Sequence, residues 1–292
     1  MTGKEKYFAD RGKEFKPFSI SADKYIVKFR YILLISFLSL LVLNGHPGWA
    51  EGAQGNGQGK SIPILLYHRF GPVAADPMTV TTPVFESHLR YLKENHYRVI
   101  SLDELMAFYE KGQIPGPRAV VLTADDGHRT VFTEGRPLLQ KYQMPMTLFL
   151  YPSAISNAHY AMTWEELQEL KRTGLFAFQA HTFWHPNFKK DRERMTPAEF
   201  ERSVKMQFEK SKAILEKRLG CRVDMMAWPF GIYDPWLMAK AAEAGYRAAF
   251  SMDARPVRST DSPMALPRYL LHDGIRVKAL ASLLAQSNGQ GK

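Results

Sequence analysis

Eight short apolar runs alternate with helix-start signals through residues 61–292, and that alternation restricts the fold more than any other feature. The runs are IPILLYH (62–68), YRVI (97–100), RAVVLTA (118–124), MTLFLY (146–151), LFAFQAH (175–181), VDMMAWP (223–229), RAAFSMD (247–253) and ALPRYLLH (265–272). Each is too short for a helix and nearly continuous in apolar residues, as strands covered on both faces are. Between them stand three capping boxes: Ser101 with Glu104, Thr163 with Glu166, and Thr196 with Glu199. Thr82-Pro83 and Asp234-Pro235 add two caps followed by proline at the first helical position. Helices are expected over 83–95, from 101, up to about 142, from 163, over 196–219, 234–245 and 276–286. Strands alternating with helices predict a parallel sheet. Seven or eight strands in about 230 residues favour a distorted (β/α) barrel over an open doubly wound sheet. No glycine-rich dinucleotide fingerprint follows any of the runs.

A parallel barrel gathers the C-terminal ends of its strands on one rim. The third run ends in Asp125-Asp126-Gly127. This is good turn chemistry, because Asp bonds its own backbone and Gly accepts a positive φ. It is also costly, since two buried carboxylates repel unless a cation or a proton separates their roles. The first run ends in Tyr67-His68-Arg69, and the fifth in His181 with His185 four residues on. The sixth ends in Trp228-Pro229-Phe230-Gly231, the seventh in Asp253 and the last in His272-Asp273. Two imidazoles and one carboxylate are a sufficient ligand set for a catalytic divalent metal, with a position left for water. One Asp can then bind the ion while its neighbour stays free as a base.

The segments LTADDGHRT, HTFWHP, WPFG and LLYHRF, in this arrangement, resemble the polysaccharide deacetylase family, the carbohydrate esterases with a NodB-type domain. The resemblance spans roughly residues 61–275 and implies a distorted (β/α) barrel. It implies a metal, zinc with cobalt or nickel as alternatives, on Asp126, His181 and His185. It also implies a metal-activated water, Asp125 as general base, and a backbone N–H at Phe230 for the oxyanion. Within the family the chain is most similar to periplasmic poly-β-1,6-N-acetylglucosamine N-deacetylases, whose catalytic acid comes from an N-terminal Tyr-His strand. Leu65-Leu66-Tyr67-His68 matches that circularly permuted order, which makes His68 the acid. Leu270-Leu271-His272 matches the usual order and keeps His272 as the alternative acid.

Two departures stand out. Ala124 replaces the aromatic usual before the Asp pair, and Ala227-Trp228 stand where an arginine usually precedes the proline. Arg268, on the last run, is the residue that could reach the base in that arginine's place. The well-known members of this branch also carry a second, C-terminal hydrolase-like domain; any such partner activity is expected to come from another chain or to be missing. Trp164, Phe183, Trp184, Trp228, Tyr233 and Trp236 are candidates for stacking on sugar rings, with core packing as the alternative for each; Trp184 and Trp228 lie inside the site motifs. The expected substrate is an exported, acetylated polysaccharide. Peptidoglycan, chitin oligomers and O-acetylated sugars are alternative substrates, and a non-catalytic polysaccharide-binding export protein is the alternative outside catalysis.

The N-terminus reads as targeting. A basic stretch through Arg30 leads into YILLISFLSLLVL (31–43), then into Gly48-Trp49-Ala50. Its 13 residues are short for a membrane span, which needs about 20. Residues 1–50 are therefore expected to be a signal peptide or an N-terminal membrane anchor, and 51–60 a Gly/Gln-rich linker. The deacetylase domain would occupy 61–292, outside the cytoplasm, in the periplasm or tethered to the inner membrane beside polysaccharide export machinery. Of the net charge of +10, residues 1–50 supply +4. The moderate remainder suits an anionic polymer or membrane surface and, with no nucleic-acid motif present, gives no reason to expect a nucleic-acid partner. A single cysteine, Cys221, excludes an intrachain disulfide.

Overall fold

The computed structural model describes residues 61–113 and 115–287. The targeting segment and linker expected over 1–60 lie outside the described residues. Among the described residues no helix is long and apolar enough to cross a membrane.

The elements follow the alternation in the sequence. Strands β1 (Ser61–Ile62), β2 (Ile64–Tyr67), β3 (Arg69–Gly71) and β4 (Thr79–Thr81) precede helix α1 (Thr82–Glu94). Next come β5 (Arg98–Val99), α2 (Leu102–Lys111), β6 (Ala119–Asp125), α3 (Arg136–Tyr142), β7 (Met146–Leu150), α4 (Trp164–Arg172) and β8 (Phe176–Ala180). The chain continues through α5 (Phe188–Arg194), α6 (Pro197–Leu219), β9 (Met225–Ala227), α7 (Pro235–Glu243), β10 (Ala248–Phe250), β11 (Val257–Arg258), β12 (Tyr269–Leu270) and α8 (Val277–Ser287). The main sheet runs β10-β9-β8-β7-β6-β2-β12, with β5 paired to the start of β6, and every pairing in it is parallel. The curl nearly closes. Leu266 bridges to Phe250 on β10, and three residues later Tyr269 pairs with Leu65 on β2. The distorted barrel expected from the sequence is what forms.

All three capping boxes form, with both reciprocal hydrogen bonds in each. Asp234 caps α7 by accepting from Leu237 N–H. Three details differ. The cap of α1 is Thr81 rather than Thr82, with Pro83 one position deeper. The run 265–272 yields only a two-residue strand and the single bridge at Leu266, because 263–265 form a 3₁₀ turn and the chain then passes from β10 to β2. The charged segment Phe188–Arg194 is a helix that no apolar run announces.

Strand alternation divides the interior in two. Leu65, Tyr67, Val120, Leu122, Leu148, Phe178, Met226 and Trp228 face the outer helices in the larger core. Ile64, Val121, Phe149, Met225, Ala227 and Phe250 face inward, where α2 contributes Leu105, Met106 and Phe108. The same period sends Asp125 inward, on the side of Ala119, Val121 and Thr123. It sends His68 inward after Ile64 and Leu66.

Candidate active site

Asp125 is the last residue of β6 and is buried. Arg268, fully buried, donates from Nη1 to Oδ1 and from Nη2 to Oδ2, both at 2.8 Å. Its Nε donates to the Ser251 carbonyl at 3.0 Å, and its guanidinium lies 5.2 Å from the Phe149 ring centre. The planar fork matches the carboxylate in a way lysine could not. Burial by itself would raise the pKa of Asp125. The charge and hydrogen bonds of Arg268, helped by His181 and His68, overcome this and bring it to about 2. Asp125 is thus an ionised carboxylate in a buried site.

The chain then turns sharply. Asp126 and Gly127 both take left-handed φ, +73° and +71°. A Cβ on Gly127 would lie 2.9 Å from Leu150 Cδ2 and 3.0 Å from Ile155 Cδ1, so this position excludes side chains twice over. The turn reading of Asp-Asp-Gly is what the structure shows. After the turn both carboxylates approach one imidazole nitrogen: His181 Nε2 lies 3.6 Å from Asp126 Oδ1 and 3.8 Å from Asp125 Oδ2.

Asp126, His181 and His185 present ligand atoms that all lie within 4.8 Å of one another. The Nε2 atoms of both histidines sit 3.6 Å from Asp126 Oδ1. Donors at ~2.1 Å around a tetrahedral ion would be roughly 3.4 Å apart, so the spacing fits a divalent metal. The tautomer fits as well. His181 Nδ1–H donates to the Ala227 carbonyl at 2.9 Å, leaving Nε2 as the ligand atom. Burial lowers the pKa of His181 to about 3 against the opposing pull of Asp125. Burial also lowers that of His185. Both rings are neutral, as ligands must be. Burial raises Asp126, His68 opposes the rise and Asp125 adds to it; a cation between the three would reverse that balance.

The loop between the histidines is held in an uncommon shape. Thr182 and His185 both have positive φ, +64° and +59°. Non-glycine residues in this region cost on the order of 1–3 kcal/mol each. His185 N–H bonds Thr182 Oγ1 at 3.2 Å. From α6, the buried Gln207 accepts from the N–H groups of Phe183 and Trp184 at 2.9 and 3.0 Å.

His68 is buried within electrostatic reach of both aspartates. Burial lowers its pKa and the two carboxylates pull the other way. Its Nδ1 is buried without a hydrogen-bond partner among the described residues. His272 is exposed and accepts from Gly274 N–H at 3.2 Å. Of the two acid candidates, His68 is the one buried beside the aspartates, and His272 is the exposed one. Phe230 follows β9 with φ +56°, and its exposed ring packs edge-on against His185 at 4.5 Å.

One sequence expectation is corrected. Trp228 is 0% exposed, its Nε1–H donates to the Met264 carbonyl, and its ring stacks on Tyr233 in the outer core. It shares the outward face of β9 with Met226 and offers no surface to a sugar. Trp184, in contrast, is 45% exposed beside the histidine loop, and Phe230 is 58% exposed. Gln207, Ser251 and the Ala227 carbonyl were not singled out from the sequence. None carries a local motif, and each reaches the site only through the packing of another element.

Residues 112–249 match the model of the family described as polysaccharide deacetylase. The chain carries a polysaccharide deacetylase domain. With that domain it is a hydrolase. The poly-beta-1,6-N-acetyl-D-glucosamine N-deacetylase of Staphylococcus aureus (strain MRSA252) is 26% identical over 199 residues, covering 67% of this chain and 68% of that one. Among solved structures, the Streptococcus pyogenes deacetylase PplD in complex with acetate aligns at a TM-score of 0.70 and 22% identity, covering 77% of this chain and 98% of that one. IcaB from Ammonifex degensii aligns at 0.67 and 24%, covering 78% and 98%. These two likenesses establish the shared fold.

Proposed function

We propose that this polysaccharide deacetylase removes N-acetyl groups from an exported poly-β-1,6-N-acetylglucosamine, with a divalent metal, zinc first, on Asp126, His181 and His185. The observation that carries the reading is the pairing of that triad with Asp125, a second carboxylate that Arg268 keeps ionised. The choice of polymer rests on the Staphylococcus aureus relative and on the Tyr67-His68 ending of β2. The basic, apolar and small-residue succession through Ala50 supports export or membrane tethering.

An amide is a weak electrophile with a poor leaving group. A divalent ion, when bound, supplies Lewis acidity, polarising the carbonyl and lowering the pKa of water from about 15.7 toward about 7. Asp125 takes the proton of the attacking water; each of its oxygens keeps a lone pair beyond the one Arg268 occupies. Arg268 positions that carboxylate and holds it charged. The turn at Phe230 offers a backbone N–H to the developing oxyanion. His68, with its unpaired ring nitrogen, delivers a proton to the departing amine. Trp184 provides a face for a sugar ring next to the scissile group.

The test is acetate release from poly-β-1,6-N-acetylglucosamine by the full chain, before chelation, after it, and with zinc, cobalt or nickel returned. Release that stops on chelation and resumes with metal supports the reading. Acetate from peptidoglycan, chitin oligomers or O-acetylated sugars alone would move the substrate. Tight polymer binding without acetate from any of them would leave a binding protein.

A further inference from the structure

Gln207 lies in the middle of α6, 22 residues beyond His185, and is fully buried. Its Oε1 accepts two backbone N–H groups, from Phe183 at 2.9 Å and Trp184 at 3.0 Å. These are adjacent residues in the segment that links His181 to His185. The segment holds left-handed conformations at Thr182 and His185, a cost that contacts with the surrounding structure must offset. The amide group itself is informative. Its Nε2 is buried and has no hydrogen-bond partner among the described residues, which is a cost. An apolar side chain of similar volume would fill the same space without that cost. What the amide supplies and an apolar residue could not is one oxygen that captures both N–H groups.

We propose that Gln207 is a positioning residue for the metal centre: by pinning the Phe183-Trp184 backbone it sets the placement of His185 relative to His181 and Asp126, and with it the affinity for the ion. The inference rests on reading Asp126, His181 and His185 as metal ligands. At the other histidine, the Ala227 carbonyl fixes the ring of His181 directly. Gln207 does the equivalent work one level removed, through the main chain. Groups that orient metal ligands from outside the coordination shell typically change metal affinity by about 10–100-fold when lost.

The experiment measures the zinc dissociation constant of the metal-free full chain by competition with a chromophoric chelator. Four proteins are compared: wild type, Gln207→Met, Gln207→Glu and Val204→Ala. Gln207→Met keeps the volume and removes the acceptor. Gln207→Glu keeps an acceptor oxygen. Val204→Ala opens a cavity in the same buried stretch of α6 and leaves the loop hydrogen bonds in place. The proposal expects about 10–100-fold weaker zinc binding for Gln207→Met, near wild-type binding for Gln207→Glu, and a lowered melting temperature with unchanged zinc affinity for Val204→Ala. Wild-type affinity in Gln207→Met overturns it. So does equal weakening in Gln207→Met and Gln207→Glu, or in Gln207→Met and Val204→Ala, since the acceptor oxygen would then not be what matters. A wild-type chain that binds no zinc overturns the metal reading itself and takes this inference with it, an outcome separate from the other three.

Discussion

Replacing Arg268 by Ala removes the cation that Asp125 is paired with. The carboxylate would stay buried, with His181 and His68 as the groups left to oppose the effect of burial. The stabilisation at stake follows from the displacement of Asp125 from 3.8 to about 2, which is worth about 2 kcal/mol at neutral pH. Breaking a buried pair by removing one partner typically costs more, about 3–5 kcal/mol, because the other charge is left uncompensated. The sign with pH is defined. A depressed carboxylate contributes stability in full above its unfolded value and loses it as pH falls through the folded one. The deficit of Arg268→Ala should therefore be complete from neutral pH down to about 4 and shrink between about 4 and 2. Burial would also act on Asp125 with its largest opposing influence removed, so the acid limb of kcat/KM should move to higher pH. Turnover should fall by about 100-fold at neutral pH through lost alignment of the base. Arg268→Lys, which restores charge without the fork, should lie between the two. Urea denaturation of the metal-free chain and a pH–rate profile of the loaded one read these effects. A variant with wild-type stability and an unmoved acid limb would refute the coupling between Arg268 and Asp125.

Four further outcomes are expected. Asp125→Asn should retain metal and lose about 10²–10⁴ in turnover, whereas Asp126→Ala should lose metal as well; more than a tenth of wild-type rate in the first would remove Asp125 as base. His68→Ala should cut kcat by at least about 100-fold and His272→Ala should leave it near wild type, and the reverse pattern would return the acid to the last strand. Gly127→Ala should destabilise by about 1–3 kcal/mol, from a positive φ and contacts near 3 Å with Leu150 and Ile155; a melting temperature equal to wild type would contradict the close fit. The metal-free chain should lose stability as pH falls below about 6.5, because His68, His88, His181 and His185 are all depressed by burial and the unfolded chain then binds more protons. Asp126, which is raised, opposes this in a window just above 3.8. A urea midpoint that is flat or rises from pH 7.5 to 5.5 would contradict that balance.

The capping boxes and apolar runs were legible because they are local: a cap at Ser101 needs only Glu104 three residues on. The Asp-Asp-Gly and His-x-x-x-His segments were legible for the same reason, and the structure brings their side chains to one point. Arg268 was legible as a candidate, while its bidentate contact with a residue 143 positions away was not. The misreading of Trp228 had an available remedy. Period-two alternation places it beside Met226 on the outward face, whereas its membership in a site motif suggested the rim.

The residue order alone carried the parallel alternation, the helix starts and the inventory of carboxylates and imidazoles, since these depend on neighbours within one turn or one strand. Only the folded chain decided which of two aspartates is salt-bridged, which of two histidines faces them, and that a glutamine on a distant helix holds the histidine loop. Each of those depends on hydrogen bonds and burial between segments far apart in sequence, and their spacing along the chain holds no record of which faces meet when the sheet curls.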